Sequence, residues 1–200
     1  MYELFILGQL MDHPMTGYQL RKALVNVVGS ELTISFGALY PLLDKLAAAE
    51  ELTISFGALY PLLDKLAAAE ELTLAFKRTT NKRPQKLATI TAAGRTQFWQ
   101  LVMTPVALNK QTQLTFQIKL NFLHLLSRDQ QQVILLDFQQ FARGQVARLT
   151  AQHKRVMTNT HMLAADIQDA LMVNELQRVR AQAQLDWLDR QLRNGGEVKG

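Results

Sequence analysis

Apolar residues between Tyr2 and Met11 fall at Leu4, Ile6, Leu7, Leu10 and Met11, near helical spacing, and Asp12-His13-Pro14 ends the run, which predicts a first helix. Thr16 stands three residues before Gln19 in a capping-box arrangement. Leu20, Ala23, Leu24, Val27 and Val28 then line one face of a second helix that closes at Gly29-Ser30. The next twenty residues, Glu31–Glu50 (ELTISFGALYPLLDKLAAAE), recur letter for letter as Glu51–Glu70. In each copy a serine, Ser35 or Ser55, can cap a helix. The apolar positions of that helix, Leu39, Leu42, Leu43 and Leu46 or Leu59, Leu62, Leu63 and Leu66, fall at i, i+3, i+4 and i+7. The Thr-Ile-Ser-Phe-Gly between the copies is a poor helix former, so two separate helices are expected rather than one rod. Only the second copy passes directly into the alternating segment that begins at Leu72, which favours it as the native-like unit.

Two short alternating runs, Leu72–Phe76 and Leu87–Thr91, joined by the polar stretch from Lys77 to Lys86, predict a β-hairpin with a long tip. Thr91 can cap a helix through Ala92-Ala93-Gly94-Arg95 to about Met103, and Thr104-Pro105 marks a boundary. Three helices are expected beyond it: one over 108–126, one from a Ser127/Gln130 capping box to about Asn159, and one over 162–193 that stops at Asn194-Gly195-Gly196. Helices this long with so little to cover them in one chain are expected to pack on a partner. The division read from the sequence is therefore 1–103, 104–194 and a disordered tail over 195–200.

Composition narrows the function. The chain has 200 residues, 48% of them hydrophobic, enough to bury a core. It has no cysteine, which excludes disulfides and thiolate-bound zinc and makes a cytoplasmic location the simpler expectation. Its start lacks the basic region of a signal peptide, and no apolar run is long enough for a membrane span, so neither export nor a membrane partner is expected. The net charge of +5 is uneven: residues 1–70 hold 4 basic and 8 acidic side chains, residues 71–103 hold 6 and 1, and residues 104–200 hold 12 and 8. A compact basic segment within a folded region suits the phosphates of a polyanion.

The chemistry concentrates in two places. Lys82, Arg83 and Lys86, with Lys77 and Arg78, make the hairpin tip basic, with no acid from residue 72 to 95, and in a wing such side chains reach phosphates or the minor groove. The alternative is a solvated loop. The helix that begins near Phe36-Gly37-Ala38-Leu39-Tyr40-Pro41, or its twin near Gly57 and Tyr60, sits where a recognition helix should. Gly37 or Gly57 would let the backbone approach a phosphate at the helix start. Tyr18 and Tyr40 lie at or near helix starts, where a phenol can meet a phosphate oxygen or merely pack. Against catalysis, His13, His124, His153 and His161 form no metal-ligand pattern, and there is no phosphate-binding glycine loop and no nucleophile elbow. Neither a cofactor nor a metal is implied, and the chain does not read as an enzyme.

These residues, in this order, resemble the PadR family of transcriptional regulators. The carriers are Phe5-Ile6-Leu7-Gly8-Gln9-Leu10, Thr16-Gly17-Tyr18, Leu39-Tyr40-Pro41-Leu42-Leu43 with Leu46, Lys82-Arg83-Pro84-Gln85-Lys86 and Thr91-Ala92-Ala93-Gly94-Arg95. Phe122-Leu123, Leu126-Ser127-Arg128 and Asp186-Trp187-Leu188 look like the dimerisation part of the branch with a long C-terminal helical domain. The fold expected is mainly α: an N-terminal winged helix-turn-helix with a small β-hairpin wing, then a long-helix dimerisation domain. The resemblance implies a homodimeric repressor that binds a palindromic DNA operator and is released by a small aromatic effector such as a phenolic acid. The chain departs from the family pattern in carrying the helix twice and in having Leu87-Ala88 where a tyrosine pair is common. The competing reading is a protein-interaction module with a helical arm and only non-specific DNA binding.

Overall fold

The computed structural model describes residues 1–28, 56–79 and 82–194, and it divides the chain into two compact units, Met1–His124 and Leu125–Gly200. The helix expected over the first repeat copy, with Ser35, Gly37 and Tyr40, lies outside the described residues, as do Ser55 and the tail over 195–200.

In the first unit the order is α1 (Tyr2–Gln9), β1 (Met15–Thr16), α2 (Gly17–Val28), α3 (Phe56–Ala68), β2 (Leu72–Thr79), β3 (Lys82–Ile90), α4 (Ala92–Met103) and α5 (Thr112–Asn121). The hairpin expected from alternation is present, but its strands run on through the polar stretch, because ladder hydrogen bonds need only backbone groups. It is also one strand wider than expected. Met15 and Thr16 pair antiparallel with Ala88 and Leu87, giving a three-stranded sheet in the order β1-β3-β2.

The core follows the helical stripes. Leu4, Phe5, Ile6, Leu7 and Leu10 of the first segment are buried with Leu20 of α2, Leu59, Leu63 and Leu66 of α3, and Leu72, Ala88 and Ile90 of the sheet. Residues beyond Thr104-Pro105 join them. The Phe122 ring, just after α5, sits edge-on to Phe98 at 5.6 Å and tilted against Phe5 at 6.4 Å. A Cβ on Gly8 would lie 2.4 Å from that ring. The buried Lys119 of α5 donates to the Thr104 carbonyl at the end of α4, where a helix terminus favours a cation. An aromatic ring and a buried ammonium thus tie α5 to the first unit, which runs to His124.

Local signals account for the helix ends. Thr16 Oγ1 accepts from the Gln19 N–H at 3.3 Å while Gln19 Oε1 accepts from the Thr16 N–H at 2.8 Å, the reciprocal box that opens α2. Thr91 Oγ1 accepts from the Gly94 N–H at 3.1 Å and caps α4. Helix α3 closes in a Schellman turn, with Glu71 N–H donating to Leu66 O at 2.9 Å, Glu70 N–H to Ala67 O at 3.0 Å, and Glu70 in the left-handed region at φ 58°. The start of α4 docks on this turn: Thr91 donates from Oγ1 to Glu70 O at 2.6 Å and from its backbone N–H to Glu71 O at 3.1 Å.

In the second unit, α6 (Arg128–Met157) and α7 (Ala164–Asn194) form an antiparallel hairpin. A full Ser127/Gln130 capping box opens α6. Asn174 Nδ2 donates to Leu149 O at 3.1 Å, and Gln139 Nε2 to Asp189 Oδ1. Ile134, Leu135, Phe138 and Ala142 are buried on α6, and Ala181 and Leu188 on α7. These helices match the expected ones to within two residues, whereas the helix expected over 108–126 is shorter, being α5 and then a 3₁₀ turn at Leu123–Leu125.

Two substitutions test the α3–α4 junction. A Cβ on Gly94 would lie 1.9 Å from the Glu71 carbonyl oxygen, so Gly94→Ala should cost about 3 kcal/mol. Glu70→Gly removes a left-handed strain and should stabilise by about 0.5–1 kcal/mol. Urea unfolding followed by Trp99 fluorescence, in a Trp187→Phe background so that only the first unit reports, would measure both.

Candidate nucleic-acid interface

Helix α3 is formed by the second repeat copy, and it presents two faces. Leu59, Leu63 and Leu66 enter the core, while Pro61, Asp64 and Lys65 are exposed. Gly57 and Tyr60 lie in the first turns of α3, and Lys82 and Arg83 open β3. The hairpin ladder pairs Thr79 with Lys82 and Lys77 with Gln85 across a shift in register between Lys77 and Thr79.

The last residue of the basic stretch, Lys86, has a side-chain partner. Its Nζ lies 2.8 Å from Asp64 Oδ1 on α3, so the root of the wing is tied to the exposed face of the helix. Sequence reasoning did not find this pair. It links residues twenty-two apart, and the only available signal was an aspartate on the outer face of a helix that precedes a cationic hairpin. Tyr18, in the first turn of α2, is 58% exposed, and the Arg21 guanidinium stands 5.5 Å from its ring centroid. Arg95 has a structural position, donating from Nη1 to the Met11 carbonyl at 3.2 Å.

Glu71, at the end of the α3 turn, is the one perturbed carboxyl near this surface among the described residues. Burial raises its pKa, the Glu3 carboxylate adds to the effect, and Lys65 opposes it. Its Oε2 is covered and has no hydrogen-bond partner. Among the described residues no group of three or more His, Asp or Glu is placed to hold a metal ion, and no helix is long and apolar enough to cross a membrane.

A capped helical unit, a three-stranded sheet with a hairpin and an α3 laid against that hairpin are consistent with a winged-helix fold. Residues 6–55 match the model of the transcriptional regulator PadR-like family, which identifies this N-terminal segment as PadR-like. The match runs from α1 through the first repeat copy, whereas the helix packed on the wing comes from the second. No curated protein matches the chain. Among solved structures it is similar to Bacillus subtilis PadR in complex with operator DNA (17% identity, 95% of each chain covered, TM-score 0.40). It is likewise similar to the same protein in complex with p-coumaric acid (17%, 98% of this chain and 96% of that one, 0.38) and to a PadR-like regulator from Bacillus cereus (18%, 98% of each, 0.34).

Because the Glu71 carboxyl is raised in the folded chain, its protonated form is the better tolerated one. The stability this confers is complete below the ordinary carboxylate range and is lost as pH rises through the raised value. Glu71→Gln should therefore melt higher than the parent at pH 7.5 and equal to it near pH 4, as read by calorimetry.

Proposed function

We propose that the chain is a DNA-binding transcriptional repressor of the cytoplasm that acts as a homodimer on a palindromic operator. The observation that carries this reading is the basic wing held against α3 through Lys86 and Asp64, in a unit whose preceding residues 6–55 match the PadR-like model. In this reading Lys82, Arg83 and Lys86 serve the phosphates or the minor groove, and the α3 sequence with Gly57 and Tyr60 serves the major groove. Tyr18 is a phosphate contact at the start of α2. Ser35, Gly37 and Tyr40, or Ser55 in the second copy, hold the equivalent roles at the start of the repeated helix. Two such helices in a dimer reach successive major grooves about 34 Å apart.

Support for the dimer comes from α7. Met172, Leu176 and Val179 are exposed at helical spacing, with Trp187 two turns further on, and this stripe faces away from Asn174, Ala181 and Leu188. The same stripe is what favours the second reading, an interaction module that binds another protein and touches DNA without specificity. A small aromatic effector, phenolic-acid-like, that releases the operator rests on the family resemblance.

The test is binding of the purified chain to its own upstream promoter and to a scrambled duplex over a salt series, beside the chain lacking one repeat. Removing either copy yields the same polypeptide, so one deletion suffices. Promoter binding at least a hundredfold tighter than scramble supports the repressor; equal binding to both that vanishes at modest salt supports the interaction module. Leu176→Glu should shift sedimentation from dimer to monomer and weaken promoter binding. An aromatic acid that leaves promoter affinity unchanged in a titration removes the effector step.

A further inference from the structure

The tip of the wing is basic, whereas at its root a lysine stands beside an aromatic ring. Phe76 of β2 and Lys86 of β3 are paired across the ladder, so their side chains leave the same face of the hairpin. Further in, that face carries Leu72, Ala88 and Ile90 into the core. At Phe76 the core has ended, and the ring is 72% exposed. Lys86 turns to Asp64, so this level of the face looks toward α3. An apolar ring thus stands exposed on the same face of the wing as a cation that already has a carboxylate.

One exposed phenylalanine is unremarkable by itself. This one is followed by Lys77 and Arg78, and the facing strand begins with Lys82 and Arg83. The two strands that carry the ring also carry these basic residues, and a polyanion with an apolar component fits that combination. Duplex DNA has both: phosphates for the tip, and deoxyribose carbons and thymine methyls for a ring.

We propose that Phe76 is a non-ionic DNA contact, its ring lying against the sugar edge or a thymine methyl of DNA laid on the surface that α3 and the wing share. Lys86 is then a positioning residue, held by Asp64 to fix the wing root against the helix, and not a phosphate ligand. This rests on the DNA-binding reading above and revises the role of Lys86 within it. The two kinds of contact differ in their response to salt. A ring covering a sugar displaces no counterion, so its contribution is independent of ionic strength, whereas a lysine on a phosphate contributes about one unit to the slope of log affinity against log salt. A pair as exposed as Asp64–Lys86 adds little to stability, so its loss should be read in binding rather than in melting.

The experiment is promoter binding by the full chain over a potassium chloride series, with Phe76→Ala, Phe76→Leu, Lys86→Gln, Lys82→Gln and the swap Asp64→Lys/Lys86→Asp. Phe76→Ala should weaken promoter binding about five- to twentyfold with the salt slope and the melting temperature unchanged, and Phe76→Leu should keep most of the affinity. Lys82→Gln should lower the slope by about one, Lys86→Gln should leave it unchanged, and the swap should recover what Lys86→Gln loses. Parental affinity in Phe76→Ala, or a melting temperature that falls along with its binding, would overturn the contact. A slope lowered by one in Lys86→Gln would overturn the positioning role. A parent chain that binds promoter and scramble alike would instead sink the repressor reading, and this proposal with it.

Discussion

Everything the first unit offers to a ligand depends on the close meeting of two helix ends. The last turn of α3 leaves through the left-handed Glu70, and Thr91 takes hold of the two carbonyls that turn presents. Gly94, one turn into α4, allows this because the Glu71 oxygen occupies the space where any side chain would begin. With its C-terminal end fixed in this way and Leu59, Leu63 and Leu66 in the core, α3 has little freedom to roll or slide. Asp64 consequently arrives at Lys86, and the helix and wing form one surface instead of two independent ones.

What could be read from the sequence was mostly local. Capping boxes at Thr16/Gln19 and Ser127/Gln130 and the cap at Thr91 involve residues three apart, and they mark helix starts whatever the rest of the chain does. Leucine spacing likewise gave the core face of α3. What was not legible joins distant parts of the chain. β1 is only two residues long, and it is a strand because β3, some seventy residues on, pairs with it. Phe122 belongs to the first unit through rings contributed by α1 and α4. Gly94 stood out as a motif residue, but its reason, the oxygen of Glu71, needs the fold. The basic wing was legible as charge, and the pairing of Lys86 was not.

The repeat sets a question of continuity that the fold makes concrete. The PadR-like match enters by α1 and α2 and stays contiguous through the first copy, whereas the helix laid against the wing is the second. Each copy thus adjoins one half of the first unit along the chain. The core positions, Asp64 and the Glu70–Glu71 turn are all written twice, as Leu39, Leu43, Leu46, Asp44 and Glu50–Glu51. Chemical identity gives the packing site of α3 no side-chain basis for preferring one copy, so the preference rests on connection to β2 alone.

In the helical hairpin, a single amide has a reach beyond its own contact. Asn174 is buried on α7, and its Nδ2 finds the Leu149 carbonyl in the last third of α6. Sliding one helix past the other by a turn would leave the apolar packing much as it was but strand that amide in a dry interface. The hairpin therefore behaves like a rule with one engraved mark: leucines and alanines supply adhesion, and the asparagine supplies the zero of the scale. The phase of the outward stripe of Met172, Leu176 and Val179 relative to α6 is read from that mark, so a more adhesive residue at 174 would make a firmer hairpin and a less accurate one.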